Sequence, residues 1–359
     1  MDKLLHRVRG LVERGERISA KDCRRLFDLN NLNDFSQLGR IVRERKYGRD
    51  AHFRAAERVE YRGEHPELFL SEVETLAPEG AVEFLVKVVW REGEVLDSWR
   101  ERFRLFAASS LPITLSVSAT FLTKAVKDSG ITVSSLLKEL TDHLPVILSP
   151  EDAFLFDEEW RAKHQVSEIS GERWLAVHSE AHEIGLKTDG GMTFHTPWNP
   201  DLYVSHLDTL RSLQDKTEGF RTFTPMAWYD SDPDARYQAT PSASTFLKVV
   251  TISRLFLDNI PHIVAPPGMS DPELSYVALS YGADTIDSTL RPADLLPVER
   301  PSTITSGGEL QVLSEGERRE ESKLSLGMVE ERIVEARFRP VPVLSNGERM
   351  ELVPREEKE

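Results

Sequence analysis

The spacing of apolar residues changes near residue 50. Before this point, apolar residues recur at intervals of three and four, which predicts short amphipathic helices. One such face consists of Leu4, Val8, Leu11 and Val12, and another of Phe35, Leu38, Ile41 and Val42. The sequence therefore predicts an N-terminal helical cap over residues 1–50.

From residue 51 onward, short β-rich runs alternate with longer amphipathic runs. The predicted strands are 53–61, 82–90, 113–118, 145–148, 186–194, 220–227, 262–265 and 283–287. The predicted helices are 67–76, 94–108, 120–141, 157–163, 171–184, 200–215, 241–258 and 271–281. Such alternation is typical of a parallel sheet with crossover helices. The count predicts an α/β fold, a (β/α)₈ TIM barrel over residues 51–297, with functional groups at the carboxyl ends of its strands.

The C-terminal part has a different composition. Residues 298–325 are polar and rich in Gly, Ser and Glu, which predicts a mobile linker. Residues 326–338 have a helical pattern, and Asn346-Gly347 lies between two apolar runs, 341–344 and 350–353. Asn-Gly in this setting is a hairpin signal. Residues 326–359 are therefore predicted to form a helix-and-hairpin extension.

Net charge excludes several classes of partner. The chain of 359 residues has a formal charge of −15, so phosphate backbones and anionic membrane surfaces would repel it. No apolar run approaches the roughly 20 residues of a membrane-spanning helix, and the first residues lack a signal-peptide core. We expect a cytoplasmic protein that binds neither nucleic acid nor membrane.

Cysteine content limits the possible metal chemistry. Cys23 is the only cysteine, which rules out an intramolecular disulfide or a cluster held by several thiolates of one chain. It falls in a helical pattern that begins at Ser19, a good N-cap residue. We interpret Cys23 as a buried structural thiol.

Several separated motifs carry a family resemblance that spans nearly the whole chain. The most specific are SGERWLAVHSEAHEIGLKTD at 170–189, LDTLRSLQDKTEGF at 207–220, FTPMA at 223–227, LDNIPHI at 257–263 and VALSYGADTID at 277–287. In this order they resemble radical SAM enzymes of the futalosine route to menaquinone, which include aminofutalosine synthase and dehypoxanthine futalosine cyclase. The resemblance implies a barrel of the radical SAM type and a place in menaquinone biosynthesis.

The N-terminal half of the barrel departs from this family. Where the family carries C-x-x-x-C-x-x-C after the first strand, to hold a [4Fe–4S] cluster for S-adenosylmethionine, this chain has residues 62–66, Arg-Gly-Glu-His-Pro. Trp90 stands near the place of the family's cofactor glycines, and Leu122 near that of its acidic residue. The family's Gly-Gly-Gly-Ala-Glu aligns with residues 150–154, Pro-Glu-Asp-Ala-Phe. These departures imply that the chain has no [4Fe–4S] cluster, and that S-adenosylmethionine lacks its usual anchor.

Candidate site residues lie at the predicted strand ends. His195 ends the fifth strand and, with Asp230 and Asp287, could act in acid or base catalysis. Packing of His195 in its loop is the alternative. Candidate ligand-binding residues are Trp90, Trp228, Tyr229, Ser288 and Thr289. We expect either that Trp90 turns inward over the space that the cofactor occupies in the family, or that another segment, such as residues 302–325, or a partner chain covers the opening. The inward placement is favoured, because interiors rarely leave room unfilled.

Other polar residues have structural interpretations. His178 and His182 are four residues apart on a helix, a spacing that can bind metal. That helix ends at the amino side of the barrel, so we expect packing instead. Glu64 and His65 could form an acid/base pair, but Pro66 after them fits the first position of a helix.

Two functions remain open from the sequence. The first is a pseudoenzyme of the menaquinone route that binds a small nucleoside-like ligand or a partner, either a cysteine-bearing radical SAM homologue or a second copy of itself. The second is a cofactor-independent lyase or hydrolase that acts on a nucleoside-like or chorismate-derived compound at His195 with Asp287 or Asp230.

Overall fold

The structure is a computed structural model that describes part of the sequence. The described residues are 3–54, 56–63, 65–76, 83–127, 129–195, 198–228, 241–266, 273–287, 303–306, 309–312 and 326–350. Three helices come first, α1 (Lys3–Arg14), α2 (Ala20–Leu26) and α3 (Leu32–Tyr47). The side chains of Ser19 and Asn31 cap α2 and α3 by accepting hydrogen bonds from the backbone N–H groups of Asp22 and Asp34.

The remaining helices surround the sheet. They are α4 (Pro66–Leu76), α5 (Leu96–Ala108), α6 (Ala119–Val126), α7 (Val133–Thr141), α8 (Glu158–His164), α9 (Gly171–Glu183), α10 (Pro200–Thr217), α11 (Ala243–Phe256), α12 (Glu273–Ala278) and α13 (Leu326–Glu335). The helix predicted over 120–141 is two helices, α6 and α7. Gly130 between them has φ +74°, a left-handed conformation in which an α-helix cannot continue.

One large parallel sheet carries the fold. Its strands are β1 (Asp50–Arg54), β2 (Ala56–Tyr61), β3 (Glu83–Val88), β4 (Ile113–Val117), β5 (Val146–Leu148), β6 (Thr188–Phe194), β7 (Phe220–Ala227), β8 (His262–Ala265), β9 (Thr285–Ile286) and β12 (Arg339–Val343). Their order is β12-β1-β9-β8-β7-β6-β5-β4-β3-β2. A separate two-stranded antiparallel sheet, β10 (Thr303–Ser306) with β11 (Glu309–Val312), lies within the region predicted as a linker.

The strand pairing follows a barrel. β1 pairs with β9, β2 pairs with β3, and residue 55 alone separates β1 from β2. The pairing therefore passes through eight successive strand positions and returns to the segment where it began. This confirms the predicted (β/α)₈ fold class.

The strand count of the large sheet differs from the prediction. The sheet has ten strands instead of eight, because the predicted first strand is divided into β1 and β2, and because β12 is added. β12 runs parallel to β1, with Asp50 opposite Arg339 and Arg54 opposite Val343. The predicted turn at Asn346-Gly347 is present, since Val343 forms an antiparallel bridge with Arg349, but the first arm of this hairpin belongs to the large sheet.

Successive apolar residues of a strand lie on opposite faces of the sheet. In β3, Phe84, Val86 and Val88 belong to the main core, whereas Leu85 belongs to a separate small cluster with Ala56 and Ile147. This alternation is the period of two that a strand imposes. The inner face also carries charges, because Arg54 of β1 forms an ion pair with Asp189 of β6, and these strands are not neighbours in the sheet.

Three buried histidines of α9 and α10 form hydrogen bonds to residues of β6. His178 and His182 of α9 both bond the Thr188 hydroxyl, at 2.9 and 2.8 Å, which confirms their predicted packing role. His206 of α10 donates from Nε2 to the carbonyl oxygen of Gly191 at 2.8 Å, and its ring stacks on Phe156. Burial lowers the pKa of His182 to about 4 and that of His206 to about 3. These side chains are therefore neutral in the folded protein at neutral pH.

Acid should destabilise the fold through His206. Its pKa is lower in the folded than in the unfolded state, so unfolding takes up a proton between pH 6.5 and the folded pKa. Stability is then complete above pH 6.5 and falls as the pH is lowered. Between pH 6.5 and 4.5 the expected loss from this one group is about 2–3 kcal/mol.

Chemical unfolding at several pH values would check this expectation. His206→Gln keeps an N–H donor for Gly191 and removes the titration, so its stability should fall less between pH 6.5 and 4.5. His143→Gln, at an exposed histidine, is the control and should follow the unsubstituted protein. Identical pH curves for His206→Gln and the unsubstituted protein would contradict the assignment.

None of the described helices combines the length and the apolar character that crossing a bilayer requires.

Candidate binding site at the barrel mouth

Charged side chains occupy the carboxyl ends of the first strands. Glu60, near the end of β2, forms ion pairs with Arg62 at 2.5 Å and with Lys87 of β3 at 3.6 Å. Lys87 also reaches Glu151, in the loop after β5, at 3.2 Å. Burial lowers the pKa of Lys87, but the carboxylates of Glu151 and Glu60 outweigh it, and the net pKa is raised. The network spans the mouth from β2 to the β5 loop.

Asp287 sits below this network. Its carboxylate is 3.0 Å from the guanidinium of Arg58 and 3.6 Å from that of Arg54, and it is buried. Arg54 continues to Asp189 at 3.2 Å, and Asp189 is also held by Arg221 at 2.8 Å. Burial would raise the pKa of Asp189, but Arg221 and Arg54 outweigh it and lower this pKa. Asp287 thus belongs to an ion-pair chain through the barrel interior.

His195 is buried at the end of β6 and contacts aromatic rings. Its backbone N–H donates to the Tyr203 hydroxyl at 3.1 Å, and this hydroxyl donates to the His195 carbonyl at 3.0 Å. Its imidazole stacks on Trp160 of α8 at 5.5 Å between ring centroids. Both interactions with Tyr203 fix the backbone of His195, and its ring also contacts those of His164 and Tyr203.

Trp228 extends this aromatic wall. It follows β7, and its backbone N–H donates to the Phe194 carbonyl at 2.8 Å. Its indole lies edge-on to Trp160 at 5.7 Å and to Phe154 at 6.2 Å. The structure therefore brings Trp228 and His195 to the same tryptophan. The other predicted residues of this region, Tyr229, Asp230, Ser288 and Thr289, lie outside the described residues.

Trp90 points elsewhere than predicted. Its ring stacks on Trp99 of α5 at 6.3 Å and lies edge-on to Phe121 of α6 at 5.6 Å. Phe84, Val86 and Val88 face the helices, and Trp90 continues this alternation, so its indole joins the outer core instead of turning over the interior. The expected inward placement is wrong, because the local strand parity and the aromatic cluster around Trp99 decide its direction.

The loop after β2 is short and polar. Arg62 is exposed, Gly63 has φ +91° and His65 has φ +40°. α4 begins at Pro66, as predicted from its fit to the first helical position. Glu64 of the proposed acid/base pair lies outside the described residues. The described donor groups of this loop are a guanidinium and an imidazole.

Sequence reasoning missed the interior charges. Arg54, Arg58 and Glu60 stand at even positions of one predicted strand, and such spacing puts them on one face. Because alternate residues of a strand share one face, the sequence could have predicted that the inner face of this strand is charged. Trp160 had no such signal, because its contacts with His195 and Trp228 join parts of the chain that are distant in sequence.

The chain is similar in sequence to known proteins, although not to any family model. No family model matches the chain. Aminodeoxyfutalosine synthase of Thermus thermophilus is 28% identical over 315 residues, which cover 78% of this chain and 82% of the relative. Cyclic dehypoxanthine futalosine synthase of Streptomyces coelicolor is 31% identical over 121 residues, 34% of this chain and 30% of the relative.

A solved structure supports the fold. The FeFe-hydrogenase maturase HydG from Carboxydothermus hydrogenoformans has a TM-score of 0.65 at 15% identity, covering 95% of this chain and 80% of that one. The chain therefore shares the TIM-barrel fold of this maturase. In sequence, it is similar to aminodeoxyfutalosine synthase and to cyclic dehypoxanthine futalosine synthase, the enzymes that the sequence motifs indicated.

Proposed function

We propose that this protein is a non-radical homologue of aminodeoxyfutalosine synthase that binds a small ligand or a partner at its barrel mouth, in the context of menaquinone biosynthesis. One observation carries the proposal. The loop after β2 offers Arg62 and His65 where the family carries three cysteines. These donors do not fit a [4Fe–4S] cluster, which requires thiolates.

The position of the one thiol supports the same conclusion. Cys23 is fully buried in α2, a helix of the N-terminal region, and not in a barrel loop. Burial raises the pKa of its thiol well above the ordinary value, so the thiolate that a metal needs is disfavoured. A protonated, enclosed sulfur is poorly suited to bind iron.

The ion-pair network at the barrel mouth supports ligand binding there without a cofactor. Glu60, Lys87 and Glu151 satisfy one another across the strand ends. Ion pairs at this position give the mouth order without a cofactor, and their partly exposed groups can exchange one partner for a polar ligand. With the half-buried indole of Trp228, which Trp160 supports from beneath, they make a surface suited to a planar ligand with hydroxyl or carboxylate groups, such as a nucleoside-like compound.

Binding is favoured over lyase or hydrolase chemistry by the surroundings of Asp287. A general base must lie within hydrogen-bond reach of the proton that it removes. One carboxylate oxygen of the buried Asp287 is already engaged by two guanidinium groups, those of Arg58 at 3.0 Å and Arg54 at 3.6 Å. The contacts of Asp287 are thus those of an ion-pair residue. We propose that the partner, where one is bound, is a cysteine-bearing homologue or a second copy of this chain.

An activity assay tests the proposal. The protein is treated anaerobically with iron, sulfide and a strong reductant, and the cleavage of S-adenosylmethionine to 5′-deoxyadenosine is followed. Aminodeoxyfutalosine synthase of Thermus thermophilus, treated in parallel, is the positive control. We expect no 5′-deoxyadenosine above the reductant background. Turnover that depends on the added iron and sulfide would refute the non-radical assignment.

A further inference from the structure

Two histidines and an aspartate meet at the amino end of the barrel, opposite the mouth. His262 is the first residue of β8, Asp284 directly precedes β9, and His52 lies in β1. Nδ1 of His262 is 2.6 Å from Oδ1 of Asp284, and Nδ1 of His52 is 3.8 Å from the same oxygen. One ligand atom from each residue falls within a group no wider than 4.8 Å.

The carboxylate of Asp284 is held in place by hydrogen bonds to Oδ2, the oxygen that does not face the histidines. Oδ2 accepts hydrogen bonds from the Arg254 guanidinium and from the backbone N–H of Ile263, the latter at 2.9 Å. Burial would raise its pKa, but Arg254 outweighs this and keeps the pKa far below the ordinary value. Metal-binding carboxylates are commonly fixed in this way by hydrogen bonds to the oxygen that does not bind the metal. Oδ1 is left to face the two imidazoles and the Thr285 hydroxyl, at 2.9 Å.

His52 provides a second, independent observation. Its side chain is about nine-tenths buried, and Nδ1 makes no hydrogen bond to any residue in the described part of the chain. Its ring lies edge-on to that of His262 at 5.1 Å and to that of Tyr47 at 5.5 Å. The nearest acceptor, Oδ1 of Asp284, is 3.8 Å from this nitrogen, which is longer than a hydrogen bond, and a metal ion between the two atoms could bind both.

We propose that His52, His262 and Asp284 form a binding site for a divalent transition metal of the zinc type. Nitrogen and carboxylate ligands suit zinc, which binds them at about 2.0–2.2 Å in tetrahedral geometry. Such geometry places neighbouring ligand atoms roughly 3.3 Å apart. The observed separations of 2.6 and 3.8 Å lie on either side of this value, so small side-chain movements suffice. His262 is partly exposed, which gives the ion a route from solvent and a water as fourth ligand.

The metal would join neighbouring strands instead of catalysing a reaction. β8, β9 and β1 are adjacent in the sheet, at the place where the strand order returns to its first segment. The amino face of such barrels contributes to stability, and chemistry is carried out at the opposite face. Because an ion bound only by the folded state stabilises that state, zinc should raise the melting temperature.

Arg254 limits the affinity of this site. Its guanidinium already compensates the charge of Asp284, and the His262–Asp284 hydrogen bond must open for the ion to enter. We therefore expect micromolar rather than nanomolar binding.

Cobalt and zinc titration of the full chain tests the site. Protein stripped with a chelator is titrated with Co²⁺, whose visible absorption reports tetrahedral nitrogen and oxygen ligands, and then with Zn²⁺ in competition. We expect one ion per chain and a zinc-dependent rise in melting temperature. His52→Gln and His262→Gln should each weaken binding by more than about tenfold.

His143→Gln serves as the matched control, since it removes an exposed imidazole elsewhere on the surface. It should bind cobalt and zinc like the unsubstituted protein. Far-ultraviolet circular dichroism confirms that each variant is folded before titration. The proposal is overturned by a chain without tetrahedral cobalt absorption, or by variants at His52 and His262 that bind zinc as well as the His143 control does.

Discussion

Arg254→Met should lower the free energy of unfolding by about 3–5 kcal/mol. Arg254 and Asp284 are both fully buried, and the guanidinium also donates to the carbonyl oxygens of Gly282 and Pro261, each at 2.8 Å. Methionine fills a similar volume but leaves the Asp284 carboxylate and two carbonyl groups without this partner. The loss of one member of a buried ion pair leaves an uncompensated charge, which is the reason for the large effect.

Urea unfolding at neutral pH measures this loss, with Arg40→Met as the control. Arg40 on α3 forms an exposed i,i+4 ion pair with Glu44, and such pairs contribute about 0.3–0.5 kcal/mol. A cost at Arg254 of the same size as that at Arg40 would mean that the Arg254–Asp284 pair does not hold the amino end of the barrel together.

Asp287→Asn should be the second most destabilising change, at about 2–3 kcal/mol. The carboxylate is buried between Arg54 and Arg58, so its neutralisation leaves two guanidinium groups with one charge fewer to oppose them. The expected cost is reduced because Arg58 is partly exposed and can be hydrated. If Asp287 acts as an ion-pair residue, Asp287→Asn should lower the free energy of unfolding and should leave ligand binding near Trp228 unchanged.

Asp201→Asn is the matched control for Asp287. Asp201 forms an ion pair with Arg24 but is 77% exposed, so its neutralisation should change stability by less than about 0.5 kcal/mol. Tryptophan fluorescence reports ligand binding near Trp160 and Trp228 in the same samples. Equal stability of Asp287→Asn and Asp201→Asn would contradict the interior ion-pair role.

The elements and fold class could be predicted because they depend on local pattern. Runs of β-branched residues alternate with amphipathic helices, and this alternation permits few architectures. The position of Pro66 at the start of α4 and the packing of His178 and His182 followed from the same local chemistry. These features need no knowledge of distant partners.

The remaining features depend on contacts between distant parts of the chain. β12 pairs with β1 across almost 300 residues of sequence. Nothing in the sequence of residues 339–343 indicates that β1 is the strand with which they pair. The direction of Trp90 depends on Trp99 and Phe121, which fill the space beside it. The cluster combines His52 of β1, His262 of β8 and Asp284, which precedes β9, so its geometry depends on the order of the strands in the sheet.

Iron and acid-labile sulfide in the reconstituted protein test the central claim most directly. The claim is that the chain, with Arg62 and His65 in the loop after β2 and its one thiol buried in α2, does not assemble a [4Fe–4S] cluster. After anaerobic reconstitution and removal of unbound iron, we predict no acid-labile sulfide and no iron–sulfur absorption. Aminodeoxyfutalosine synthase of Thermus thermophilus, treated in parallel, is the positive control. Stoichiometric iron and sulfide in the monomer of this protein would contradict the account.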